Sequence, residues 1–272
     1  MAPNHQEIRG VLHLARGRDN YNLTRIPPSP ALAPYIERYW LVGWDLRGRE
    51  PQVQENIPHP NVHLVIEQGR SEIVGVVTRR YTRILEGEGR VIGVKFHPGG
   101  FYPFLKKPIT SLTDQTLPPA HLFGAAFNDL ENAVLSGATH AEQVHHLERF
   151  LKAQQPDRAG VTDEVRLATE ITHWIAAHPE VTKVDQIADH FAVSKRRLQR
   201  LFQKFVGIGP KWVIKKYRLH EALAQCETAP PNWTDLAYTL GYSDQAHFIK
   251  DFKALTGHTP TAYLRRNQHP RD

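Results

Sequence analysis

The chain has 272 residues, 40% hydrophobic and 9% aromatic, with 34 Lys and Arg against 28 Asp and Glu for a net charge of +6. That length suffices for two domains that each bury a core, and the apolar content excludes a disordered chain. The single cysteine, Cys226, excludes an intrachain disulfide and a multi-cysteine zinc site, and no run approaches the roughly 18 apolar residues of a membrane span.

The first twenty residues (MAPNHQEIRGVLHLARGRDN) mix polar and charged side chains without an apolar core. They do not read as a secretory signal, and the expectation is a cytoplasmic protein with no membrane partner. Next come β-branched and aromatic runs broken by Gly and Pro: "YIERYWLVGWDL", "NVHLVIEQG", "SEIVGVVTRRYTRIL" and "RVIGVKF". These read as strands joined by turns. Within them His59, His63 and Glu67 alternate as strand residues do, with His97 further on. A metal site needs convergent ligands with an orienting shell, and histidines at strand ends are more often hydrogen-bonded, so no metal and no cofactor is expected. "GEGRVIG" has the wrong spacing for a dinucleotide cradle and leads into a strand rather than a helix. No nucleophile elbow, Walker loop or paired metal-binding helix occurs.

"LFGAAFNDLENAVLSG" and "HAEQVHHLERFLKAQ" read as two helices, the second with Val144, Leu147 and Leu151 at helical spacing. Together with Leu130 and Val134 these residues exceed what one helix pair can bury, so a surface joining two chains and packing back on the strands are both open readings. "QQPDRAGVTD" is polar with Pro and Gly and makes a linker over 153–163.

Beyond the linker the texture is helical. "TDEVRLATEITHWIAAHP" puts Leu167, Ile171, Trp174 and Ile175 on one face; "TKVDQIADHF" starts from Thr182 as N-cap; "PKWVIKKYRLHEALAQC" opens on Pro210, where a missing N–H costs nothing. In "SKRRLQRLFQKFVG" a stripe of Leu198, Leu201, Phe202 and Phe205 faces a core. Arg196, Gln199, Arg200 and Gln203 point the other way, Lys195, Arg197 and Lys204 lie on the flanks, and Ser194 stands at the N-cap. Arg can bond guanine bidentately and Gln can do the same for adenine, whereas flanking cations suit phosphates.

The region also repeats. Ile187-Ala188 recurs as Leu236-Ala237, and Leu198, Phe202, Gly207 and Pro210 recur fifty positions later as Phe248, Phe252, Gly257 and Pro260. A helix-turn-helix therefore occurs twice, with Asp244 capping the second copy and Gln245, Ala246, His247 and Lys250 outward. Charge follows the same division. Residues 1–180 carry 19 Lys and Arg against 20 Asp and Glu, and residues 181–272 carry 15 against 8, a net of −1 and then +7. A solvated basic face explains that asymmetry as well as a polyanionic partner does, but the repeat favours double-stranded DNA.

"QIADHFAVSKRRLQRLFQKFVGIGP", "YRLHEAL" and "DLAYTLGYSDQAHFIKDFKALTGHTPTAYL" resemble the DNA-binding domain of AraC/XylS transcription regulators over about residues 163–266. The resemblance implies two recognition helices in successive major grooves, with Arg196, Gln199 and Arg200, then Gln245, Ala246, His247 and Lys250, as readers. Val213 replaces the usual linker-helix aromatic, and Leu264 follows Tyr263 before the basic pair. "YIERYWLV", "IPHPNVHLVIEQG" and "GVKFHPGGFYPFL" resemble the N-terminal domain of a less-studied AraC-like subgroup.

The expected architecture is α+β in two domains. Residues 1–152 form a β-rich domain, a small barrel or sandwich with trailing helices that senses or dimerises, and residues 164–272 form the all-α double helix-turn-helix. The resemblance implies an effector-sensing role for the first, with Trp40, Trp44, His63, Phe96 and Phe101 as candidate lining; the same aromatics fit a plain core. A small-molecule effector, RNA polymerase and a second copy of the chain are further candidate partners. The competing reading is an enzyme acting on DNA or a small molecule, addressed by the C-terminal module, which would need a catalytic constellation in residues 1–160.

Overall fold

The computed structural model describes residues 11–12, 21–57, 59–155, 162–228 and 231–268. The expected linker at 153–163 lies mostly outside them. Among the described residues nine strands form two antiparallel sheets. The larger has the order β2 (Tyr21–Ile26), β3 (Ile36–Asp45), β8 (Glu88–Phe96), β5 (His63–Ile66), β6 (Glu72–Val74) and β9 (Thr116–Leu117). The smaller runs β1 (Val11–Leu12), β4 (Gln52–Asn56), β7 (Tyr81–Leu85).

Period-2 alternation gives the larger sheet two different faces. Leu41, Leu64, Ile66, Ile73, Ile92, Val94 and Phe96 enter the main core, whereas Trp40, Val42, Trp44, His63, Val65, Val74, Val91 and Lys95 face the smaller sheet. "SEIVGVVTRRYTRIL", expected as one strand, is two. Its first part pairs with β5 and β9 and its last part with β4 in the other sheet. The break begins at Gly75, where a Cβ would lie 1.7 Å from the Leu112 carbonyl oxygen. Only glycine permits that backbone approach.

Against the core face pack α1 (Tyr102–Leu105), a 3-10 turn (Ile109–Leu112), α2 (Ala120–Phe123), α3 (Ala126–Ser136) and α4 (His140–Ala153). Thr139 and Glu142 close a capping box at the start of α4. Leu130, Val134, Val144, Leu147 and Leu151 are all buried in this core. They pack back on the sheet, so the joining surface they were candidates for is not exposed.

The C-terminal part is helical: α5 (Asp163–Ala177), α6 (Val184–His190), α7 (Lys195–Leu201), a π turn (Phe202–Val206), α8 (Pro210–Thr228), α9 (Trp233–Thr239), α10 (Gln245–Thr256) and α11 (Pro260–Gln268). α6 begins two residues after Thr182, and its free amides are met by Gln186, whose Oε1 accepts from Thr182 and Lys183 N at 2.9 Å each.

The two parts do not keep separate cores. One apolar cluster runs from Val94 and Phe96 through Ile109 and Leu112 to Val165, Ile171, Leu198, Phe202, Phe205 and Ile214. The second helix-turn-helix has its own cluster of Leu219, Leu236, Phe248, Phe252 and Tyr263, which takes in Ile57 from the β-rich part. Polar contacts follow the junction: Thr169 Oγ1 donates to Pro98 O at 2.5 Å, Thr113 Oγ1 donates to Gly207 O at 2.6 Å, and the His59 and His220 rings lie 4.8 Å apart.

Lys216 of α8 is buried at 1% exposure, and its Nζ has no hydrogen-bond partner among the described residues. Burial, with Lys95 adding repulsion, pushes this amine well below the usual lysine range. The unfolded chain therefore binds a proton that the folded chain does not, and this position's drain on stability grows as pH falls below about 10. Lys216→Met is expected to stabilise the protein at pH 7 by about 1–3 kcal/mol. Its advantage should shrink on raising the pH towards 10. Urea unfolding at several pH values checks this; a variant no more stable than the parent at pH 7 contradicts it.

Candidate nucleic-acid interface and ligand cavity

The first recognition helix is fixed from below. Ser194 Oγ accepts from Arg197 N at 3.2 Å, and Leu198, Leu201, Phe202 and Phe205 are buried. The expected α-helix through 207 changes at Phe202 to a π turn, closed by Gly207 N donating to Phe202 O at 2.8 Å. The wider turn brings Phe202, Phe205 and Val206 inside together. Gly207 has φ 91°, and a Cβ on it would stand 2.8 Å from Ile109 Cγ2. Glycine is required there both by the left-handed backbone and by the domain contact.

On this base Lys195, Arg196, Arg197, Gln199, Arg200, Gln203 and Lys204 are all exposed. Lys195 pairs with Asp185 of α6. Lys204 Nζ lies 3.7 Å from Glu164 Oε2 of α5 and above the Tyr102 and Phe205 rings, so it leans toward the domain junction.

In the second unit Asp244 Oδ1 accepts from His247 N at 2.8 Å, the expected cap of α10. Ala246, His247 and Lys250 are exposed and Gln245 is half-buried. Asp251 was not singled out from the sequence. Its carboxylate, 11% exposed, receives Lys215 Nζ of α8 at 2.6 Å and lies 3.6 Å from His247 Nε2. The Arg218 guanidinium stacks 4.2 Å above the Tyr242 ring beside it. These contacts set α10 against the helix that joins the units. The signal available in sequence was an acid four residues after His247, between the outward Lys250 and the core Phe252.

The candidate effector residues divide. Trp40, Trp44 and His63 line a cavity of about 280 Å³ between the two sheets. Phe96 and Phe101 do not: they pack edge to face at 4.9 Å in the core on the other side of β8, because Phe96 has the opposite strand parity to Lys95. Trp40 Nε1 donates to His63 Nδ1 at 3.3 Å, which requires that nitrogen to be unprotonated. Burial, reinforced by Lys95, pushes the His63 imidazole down to about 3, consistent with a neutral ring. Burial alone would raise the Glu37 carboxyl, but Lys95 at 3.0 Å and Arg38 at 2.6 Å outweigh it and hold it below the usual range. His59, His63, Glu67 and His97 do not converge: His59 meets His220, Glu67 pairs with Arg83, and His97 meets His173.

A family profile described as a helix-turn-helix domain matches residues 187–266, and one described as a domain of unknown function matches residues 24–118. The HTH-type transcriptional activator AarP of Providencia stuartii is 33% identical over 98 residues, covering 36% of this chain and 73% of AarP. The probable transcription factor PqrA of Proteus vulgaris is 30% identical over 107 residues, covering 38% of this chain and 88% of PqrA. The chain belongs to the AraC/XylS family of transcription regulators. As a member it is a DNA-binding regulator, with a β-rich N-terminal domain before the double helix-turn-helix. ToxT of Vibrio cholerae aligns with 90% of this chain and 96% of its own at 11% identity and a TM-score of 0.38, a loose likeness from which no detail follows.

In this AraC/XylS chain the Asp251–Lys215 pair is expected to hold the second unit on α8. Asp251→Asn should cost about 1 kcal/mol of stability, since the carboxylate is mostly buried while Lys215 is 42% exposed and partly screened by solvent. Much of that loss should vanish in a Lys215→Met background. Urea unfolding of the four proteins in the cycle checks this; additive losses would show that the pair does not couple the helices.

Proposed function

We propose that Arg196, Gln199 and Arg200 read base edges in one major groove and that Gln245, Ala246, His247 and Lys250 read the next, with Lys195, Arg197 and Gln203 toward phosphates and Lys204 reaching them only by leaving Glu164. The observation that carries this reading is the surface of α7 and its π turn: ten consecutive residues, 195–204, contain no acid, and every one outside the buried stripe is exposed. A helix so loaded, second in its helix-turn-helix and held from below by the core, suits groove entry from its N-terminal end. The first face offers two arginines and a glutamine, so it carries more of the sequence preference than the second.

The N-terminal domain acts in this reading as a ligand sensor rather than an enzyme. Two residues on the cavity wall support a link to the DNA-binding part: Ile57 enters the second unit's core, and His59 meets His220 of α8. An occupant that shifts either residue acts directly on the helix between the two units. RNA polymerase is the proposed downstream partner, by analogy with AarP and RhaS of Escherichia coli, both named transcriptional activators. The cytoplasm, where bacterial DNA lies, is the proposed location, and among the described residues no helix is long and apolar enough to cross a membrane. A homodimer is not part of this reading, because the apolar residues that suggested one, Leu130, Val134, Val144, Leu147 and Leu151, are buried within the chain.

Arg200→Ala is expected to weaken binding to an operator, selected from genomic DNA with the purified protein, by about 1–3 kcal/mol, and to affect a scrambled duplex much less. Lys195→Ala should weaken both duplexes similarly and lower the salt dependence. Mobility shifts over a salt series read both effects. Equal losses on the two duplexes for Arg200→Ala would remove it from the readers.

A further inference from the structure

The cavity between the sheets has a built floor. Trp40 stands directly opposite Gly93 in the β3–β8 register, and Trp44 stands opposite Gly89. Each indole lies on its glycine so closely that a Cβ would fall 1.9 Å from the Trp40 ring or 2.2 Å from the Trp44 ring. Side chains at those two positions would lift the rings. The indole N–H groups are turned aside, one to His63 and the other to Glu86 O at 3.1 Å. The Trp40 ring face is thereby kept for an apolar body, while the Arg83 guanidinium stands 5.2 Å above the Trp44 ring.

The charge on the wall has one sign. Arg25, Arg38, Arg83 and Lys95 line the cavity and, among the described residues, no Asp or Glu does. Glu37 and Glu67 stand outside the lining. Glu67 pairs with Arg83, but Glu37 alone serves both Arg38 and Lys95. Among the described residues this leaves the Arg38–Lys95 corner with more cation than anion, next to a neutral His63. A buried cation in excess favours an anionic partner that enters the same low-dielectric space.

We propose that the cavity binds an organic anion with a flat, apolar body, the body on the Trp40 ring and the anionic group at Arg38 and Lys95. This rests on the sensing reading above and adds the ligand class to it. Charge supplies the discrimination: an uncharged analogue of the same shape leaves the excess cation unpaired and loses the charge-assisted hydrogen bonds.

The test uses the full-length protein and two probes of one shape, 1-naphthoate and 1-naphthamide, titrated by calorimetry with indole fluorescence as a second readout. Naphthoate is expected to bind saturably with a Kd below about 1 mM. Naphthamide should bind at least tenfold more weakly, and Arg38→Gln should remove most of that difference by weakening naphthoate alone. Equal binding of acid and amide would overturn the anionic class and leave a sensor of neutral ligands. No saturable binding of either probe would overturn the ligand class altogether. The sensing reading is judged apart from both, by filling the cavity with Val42→Trp. If that substitution leaves operator affinity unchanged in a folded protein, sensing falls too.

Discussion

Strand β8 faces two ways, and the rest of the molecule depends on it. Ile92, Val94 and Phe96 on one side join a core that continues into α5, α7 and α8. Gly89, Val91, Gly93 and Lys95 on the other side make the floor and one charged corner of the cavity. Because successive residues of a strand point to opposite faces, the cavity and the DNA-binding scaffold are separated by the thickness of one sheet. A displacement of β8 cannot be confined to either side, since close-packed interiors transmit strain rather than absorb it.

The junction concentrates that coupling at a few backbone positions. Gly207 ends the π turn of the first recognition element while its carbonyl accepts from Thr113 and its Cα abuts Ile109. At the second unit, Gly257 plays the corresponding part: it ends α10 at φ 80°, and a Cβ there would meet the Arg80 guanidinium at 2.7 Å. The two repeat glycines thus have a double use. Each terminates a helix in the left-handed region, and each leaves room for the β-rich domain to touch a helix-turn-helix unit. Fixing both units against one body sets their separation and phase, on which the proposed reading of two successive grooves depends.

The sequence made the helical half easy to read and the junction hard. Ser194, Asp244 and Pro210 announced helix starts because capping and proline chemistry are local. The seams of α7 and α10 followed from period 3.6, and the repeat supplied the second copy. The π turn was invisible, since Phe202, Phe205 and Val206 fit an ordinary helix and only the packing against Ile109 selects the wider one. Gly75 divided an expected strand because of a close approach by a residue 37 positions away, which no local pattern carries. Trp40, Trp44 and His63 were separable from Phe96 only once strand parity was fixed, and Phe101 only by its place in the core. Asp251 had only the weak local signal of an acid four residues after His247, because its partner Lys215 belongs to another helix.

The β-rich domain and the first helix-turn-helix share a core and are expected to open as one unit. Native-state hydrogen exchange on the full-length protein tests it directly, by comparing the opening free energies of amides in β8, in residues 109–113 and in residues 198–207. The account predicts that the slowest amides of all three segments share one opening free energy and respond alike to denaturant. Residues 198–207 opening well below β8, with a denaturant dependence of their own, would contradict it.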